Sequence, residues 1–329
     1  MDKAGFYIST RAHAWLGSHP PDLSPSEPTI NKTVISVESL QEIVYEETFA
    51  SGFRIKATRS GFIGMAFVGV AGFLSEQQVD QKLHPNENWS LNRLNARVPV
   101  GNVINAFLAC LNGSLQSSSR ICEIGYVPNN RLTNVGNDLT PRFSGNINDR
   151  GTGSRHNIIS EDDLRTASNA IEILLNHSDQ GAMTLVSLYN WAVGSLCDLD
   201  FARSLITSWA IIERLLEVIW LEFISENSEG NSQGVLKPPT SGKRAEKLKG
   251  NNITASIKVE ILSVSGRLSE KEYTLIEQGR RARNAWIHSL KSVKFQDAVN
   301  AAGAAAILIK RVCGVKVQNT YQVWGQWSN

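Results

Sequence analysis

The chain has 329 residues, 42% hydrophobic and 19% charged, a balance that excludes a disordered chain or a coiled coil and allows one large domain or two ordinary ones. Thirty-three Lys and Arg against 31 Asp and Glu leave a net charge of +2, which excludes a generic polyanion binder but not a focused basic site. The cysteines Cys110, Cys122, Cys197 and Cys313 form no CxxC pair and no zinc-spaced set with histidine, so the expected setting is the reducing cytoplasm, with no metal and no cofactor.

In chain order, the first residues run into polar and aromatic side chains without the apolar stretch of a signal peptide. Residues 33–37, 53–57 and 121–127 have strand character. The longest apolar run, residues 62–74, is interrupted by glycine and too short to span a bilayer, so no membrane association is expected. It reads as one or two buried strands or as a buried helix. Residues 98–115 read as a helix, with Val103, Phe107 and Leu111 at helical spacing. Residues 1–150 are therefore expected to form a mixed α/β domain with a sensing, partner-binding or RNA-positioning role. Polar, glycine-containing residues 144–157 are the expected linker.

From Ser160 the pattern turns helical, and residues 158–315 are expected to form an all-α bundle, giving an α+β chain with a tail at 316–329. Ser160 and Asp163 form a capping-box pattern, with Asp in place of the usual Glu. Further helices are expected over 182–196, 201–225 and 295–313, the last closed by Gly314. Ser269 and Glu272 cap a helix reaching about Leu290. Residues 225–252 are polar, contain glycine and a proline pair, and read as a loop.

The helix ending near Leu290 carries three arginines, an asparagine and a histidine within little more than two turns: Arg280, Arg281, Arg283, Asn284 and His288. Arg281, Asn284 and His288 share one face by their i, i+3, i+7 spacing, and Arg283 is long enough to reach round to it. Ala282, Ala285, Trp286 and Ile287 are expected to form the packing face. An imidazole, with an ordinary pKa of about 6.5, can take a proton from a ribose 2′-hydroxyl or give one to a leaving 5′-oxygen. A neighbouring guanidinium can stabilise charge on the phosphoryl oxygens. One imidazole cannot be base and acid in the same step, so a second copy is expected to supply the other. The bland alternative is a histidine closing a helix beside surface arginines.

Residues 209–216 (WAIIERLL), the polar loop, residues 282–289 (ARNAWIHS) and the closing alanine-rich helix together resemble the HEPN family. Tyr189-Asn190-Trp191, the Trp209–Glu213 spacing and Arg283-Asn284 with His288 are most similar to its ApeA-type branch, over residues 161–315, about half the chain. The resemblance implies a helical bundle that dimerises with its two Arg-x4-His motifs facing each other. It also implies a metal-independent endoribonuclease that leaves a cyclic phosphate and a 5′-hydroxyl, acting as a toxin or antiviral-defence effector. Arg283 and His288 match the two catalytic positions, and Asn284 the polar residue after the arginine. Some family toxins carry a tyrosine shortly after the histidine. Ser289-Leu290-Lys291 stands there instead, so modification by a partner nucleotidyltransferase is not implied.

Glu213 lies in a largely apolar helix. It reads either as a carboxylate orienting Arg283 or His288, or as a packing ion pair. Arg280, Lys243, Arg244 and Lys247, with Lys237 and Lys249, are candidates for RNA phosphates, or for a solvated charged surface. His177 reads as a helix cap, while His84 and His156 stand without sequence partners. Trp324 and Trp327 read as base-stacking or packing residues. The expected partners are single-stranded RNA, a second copy of the chain and a protein regulator. The rival readings are a catalytically inactive HEPN-like dimerisation or binding module, and a regulatory protein whose N-terminal domain binds a small ligand.

Overall fold

Capping and apolar periodicity set the helix ends, and the computed structural model places seven helices and seven strands among the residues it describes: 5–9, 14–16, 41–59, 61–67, 69–70, 73, 98–115, 133–135, 139, 157–226, 248 and 253–318. The chain is α+β and mostly helical. The expected strands at 33–37 and 121–127, the residues Lys237, Lys243, Arg244, Lys247 and Lys249, His84 and His156, and Trp324 and Trp327 lie outside the described residues.

The strands are β1 (Gly5–Ser9), β2 (Ala14–Leu16), β3 (Ile43–Thr48), β4 (Arg54–Thr58), β5 (Phe62–Ala66), β6 (Thr133–Val135) and β7 (Asn157–Ile159). Five form an antiparallel sheet in the order β3-β4-β5-β1-β6, and β2 pairs with β7 in parallel. The apolar run at 62–74 thus contributes one strand, β5, buried along its whole length. Phe62 and Ala66 pack there with Leu139.

The helices are α1 (Val98–Ser114), α2 (Glu161–Leu175), α3 (Ala182–Cys197), α4 (Phe201–Glu226), α5 (Ala255–Val264), α6 (Glu270–Ser289) and α7 (Phe295–Cys313). Both expected capping boxes form. Ser160 Oγ accepts from the Asp163 N–H, and the Asp163 carboxylate accepts from the Ser160 N–H. Ser269 and Glu272 repeat the arrangement at α6. Gly314 closes α7 in the left-handed region, at φ 72°.

Two compact units divide the chain differently from the expected 1–150 and 158–315. The first comprises residues 1–190, 316–318 and 322–329, and the second 191–315 and 319–321, so the boundary falls inside α3. In the first unit α2 packs on α1. Glu172 of α2 accepts from Ser51 N–H at 3.0 Å and from the Ser51 hydroxyl, tying the β3–β4 turn to the helix. Asn190 donates to Asn105 at 3.1 Å, and Tyr189 Oη donates to the Gln318 carbonyl at 2.5 Å. Two residues that carry the family resemblance therefore pack within this unit. Burial pushes the Tyr189 phenol well above its ordinary pKa.

The second unit is helical. α7 packs along α4 and α6, and α5 packs on α4 and α6. The apolar stripe Leu205, Trp209, Ile212, Leu216 and Ile219 of α4 is buried as its spacing requires. Gly279 lies where α6 meets α7 and α4: a β-carbon there would be in ordinary contact with Ala301 Cβ at 3.4 Å and Trp209 Cε3 at 3.8 Å. No described helix is long and apolar enough to cross a membrane.

Candidate functional site

The arginine-rich end of α6 is positioned by its first half. Leu275, Ile276 and Gly279 are buried, and the capping box fixes where the helix starts. Beyond Arg280 no residue of α6 is fully buried. Ala282, Ala285 and Trp286 are half-buried and Ile287 is 40% exposed, so among the described residues the expected packing face is only partly covered. The fully buried residues of α6 lie in its first half; in the motif Arg283 and Asn284 are half-buried and Arg281 and His288 exposed.

Glu277 is the buried charge of this helix, its side chain 8% exposed. It accepts from Arg280 Nε at 2.7 Å and from Arg280 Nη2 at 2.8 Å. Arg281 Nε lies 3.6 Å from the same carboxylate. The hydrogen bond from Arg280 holds the Glu277 carboxyl below its ordinary pKa, and Glu277 in turn raises that of Arg280. Arg280, expected to meet RNA phosphates, is thereby committed to an internal partner. Arg281 keeps its side chain 75% exposed.

Arg283 and His288 are five residues apart, about 7.5 Å along the helix axis and about 140° round it. They do not share a face. Asn284 lies one turn before His288 and on its face. Its side-chain oxygen accepts from Arg283 Nη1 at 3.0 Å, which draws the guanidinium towards the histidine side. Among the described residues Arg283 makes no ion pair, so its charge is uncompensated there. His288 is exposed in the last turn. Within the motif the structure shows one side-chain contact, Arg283 to Asn284. Asn284 and His288 share a face with Arg281, and among the described residues no hydrogen bond or ion pair joins Arg283 to His288.

Glu213 does not join them. It is exposed on α4, and among the described residues it forms no hydrogen bond or ion pair with Arg283 or His288. The apolar content of α4 suggested burial, but Glu213 falls outside the stripe that packs. The carboxylate that engages the arginines is Glu277, whose signal in the sequence is its i, i+3 and i, i+4 spacing to Arg280 and Arg281. His177 has a local role: its Nδ1 accepts from the Asp179 N–H at 3.0 Å in the turn after α2.

A polar depression of about 490 Å3 lies in the first unit, against β3 and the first turn of α2, lined by Tyr45, Glu46, Glu47, Glu161 and Arg165 among others. Its polar groups are paired: Arg165 with Glu161 at 2.5 Å, the Tyr45 hydroxyl with Glu47, and Glu46 with Arg54 and Lys56 of β4, each at 3.8 Å. Among the described residues no group of three or more His, Cys, Asp or Glu is placed to hold a metal ion.

Compared with family models, curated proteins and solved structures, the chain matches none.

Proposed function

We propose that the chain is a cytoplasmic, metal-independent endoribonuclease with a HEPN-type bundle, cutting single-stranded RNA as a toxin or antiviral-defence effector. The observation that carries this reading is the Arg283–Asn284 hydrogen bond beside an exposed His288. It supplies an uncompensated guanidinium, drawn by Asn284 towards the face that carries an accessible imidazole.

In the reaction, His288 takes the proton of a ribose 2′-hydroxyl and the 2′-oxygen attacks the adjacent phosphorus. The bond to the 5′-oxygen breaks, and that oxygen takes a proton from the imidazolium of a second copy. The products are a 2′,3′-cyclic phosphate and a 5′-hydroxyl. Arg283 donates to the non-bridging oxygens, where charge accumulates. Asn284 is a positioning residue that aims Arg283. A homodimer with the two motifs facing each other completes the acid–base pair. A protein regulator is the expected restraint, because uncontrolled cleavage would harm the host.

A second reading, a catalytically inactive dimerisation module, is favoured by Ile287 and Leu290, which stay exposed around the motif. Growth of cells expressing wild-type or His288→Ala protein separates the two. The nuclease reading expects growth arrest, with cyclic-phosphate ends on cellular RNA, from the wild type alone. The module reading expects the same growth from both proteins and no new ends.

A further inference from the structure

The commitment of Arg280 to Glu277 removes one cation from the surface expected to meet RNA. Positive charge continues on the other side of His288. From Gln278 to Gln296 the chain contains no Asp or Glu, and beyond the α6 arginines it carries Lys291 and Lys294 in the connection to α7. Both lysines are exposed, and neither has an ion-pair partner among the described residues. Arg281 lies before His288 and the lysines after it. A chain of phosphates whose scissile group sits at His288 therefore meets cations on both flanks.

We infer that Lys291 and Lys294 are a substrate-binding arm that grips the phosphates of single-stranded RNA on the α7 side of the cleavage site, opposite Arg281. This rests on the ribonuclease reading for the identity of its ligand. The favoured occupant is RNA rather than an anionic membrane, because the arm adjoins the Arg283–His288 surface and is continuous with it along one connection. Neither lysine builds the fold. At Lys294 the backbone N–H, not the side chain, donates to Asp297, so serine at this N-cap position keeps the helix start.

The test uses full-length His288→Ala protein, which binds without cutting, and a fluorescein-labelled oligouridylate titrated at several salt concentrations. Each phosphate contact on a single strand contributes about 0.7 to the slope of log affinity against log salt. Adding Lys291→Ser and Lys294→Ser should flatten the slope by about 1.4 and weaken binding about tenfold near physiological salt. Lys271→Ser with Lys310→Ser, the same change in net charge at exposed lysines elsewhere, should leave both unchanged. Equal loss in the two double variants, or no loss in the first, overturns the arm. So does binding to phosphatidylserine vesicles that depends on Lys291 and Lys294 while RNA binding does not. Lysine-dependent binding with no cleavage by the wild-type protein would instead remove the nuclease reading and leave the arm standing. Cleavage with lysine-independent binding would do the reverse.

Discussion

Glu277 holds Arg280 through both carboxylate oxygens, at 2.7 and 2.8 Å, one turn before the residues that could act on a phosphate. Because the carboxylate is buried, losing it strands a guanidinium and loosens the helix at the point where the motif begins. Glu277→Gln should lower stability by about 1.5–3 kcal/mol at neutral pH, the scale of a hydrogen bond to a charged group. The pH dependence has a definite sign. The folded pKa of Glu277 is depressed, so its contribution is fully present above the ordinary glutamate value of about 4.3 and is lost as pH falls through the lower folded value. Denaturant unfolding of wild-type and Glu277→Gln protein should show the gap between them closing only in that acidic window. A gap unchanged across it would contradict the pairing.

Leu290 and Leu139 share a left-handed backbone, at φ 48° and 53°, but not an environment. Leu290 is 82% exposed at the end of α6, so glycine there relieves strain and loses little packing. Leu290→Gly should raise stability by about 0.5–1 kcal/mol. Leu139 is buried with Phe62 and Ala66. Leu139→Gly should cost at least about 2 kcal/mol, because lost burial outweighs relieved strain. Opposite shifts of melting temperature check both.

The chain returns to the first unit at residues 316–318 and runs against α1 at Gly113. A β-carbon there would lie 2.7 Å from the Val317 carbonyl carbon and 2.8 Å from the Lys316 oxygen. Backbone on both sides cannot yield as a flexible side chain does. Gly113→Ala should destabilise by about 1–3 kcal/mol despite its better helix propensity. Thermal unfolding of the purified variant checks this.

How much of this was legible in the sequence follows from which forces act locally. The helices at 98–114, 182–197, 201–226, 270–289 and 295–313 lie within a few residues of expectation, because caps and apolar spacing are local signals. β3 was missed because its Tyr-Glu-Glu-Thr stretch is an acidic edge strand lacking a clear alternating pattern. α5 was missed because Ile257, Ile261 and Val264 stay exposed while Lys258, Val259 and Leu262 pack, which blurs its amphipathic face. The grouping of α2 with α1 depends on long-range packing that periodicity does not encode. At the site, spacing alone groups Arg281, Asn284 and His288, while Arg283 enters through the family resemblance. Glu277 has no distinguishing signal in the sequence beyond its spacing to Arg280 and Arg281, and its burial appears only once α6 is docked.

Arg283 separates a planar donor from a point charge. Arg283→Lys keeps the charge but loses the fork geometry that spans two phosphoryl oxygens and the contact to Asn284. On the nuclease reading, kcat for cleavage should fall by about 10²–10³, the scale for removing a transition-state donor. Single-turnover cleavage by both proteins measures it, and an unchanged rate would leave Arg283 without the assigned role.

The most direct measurement is the cleavage of a labelled single-stranded RNA by purified full-length protein in excess chelator, beside His288→Ala checked for folding by circular dichroism. The account predicts products with 2′,3′-cyclic phosphate and 5′-hydroxyl ends from the wild type, and a loss of at least about a hundredfold in the folded variant. Equal cleavage by the two proteins would contradict it.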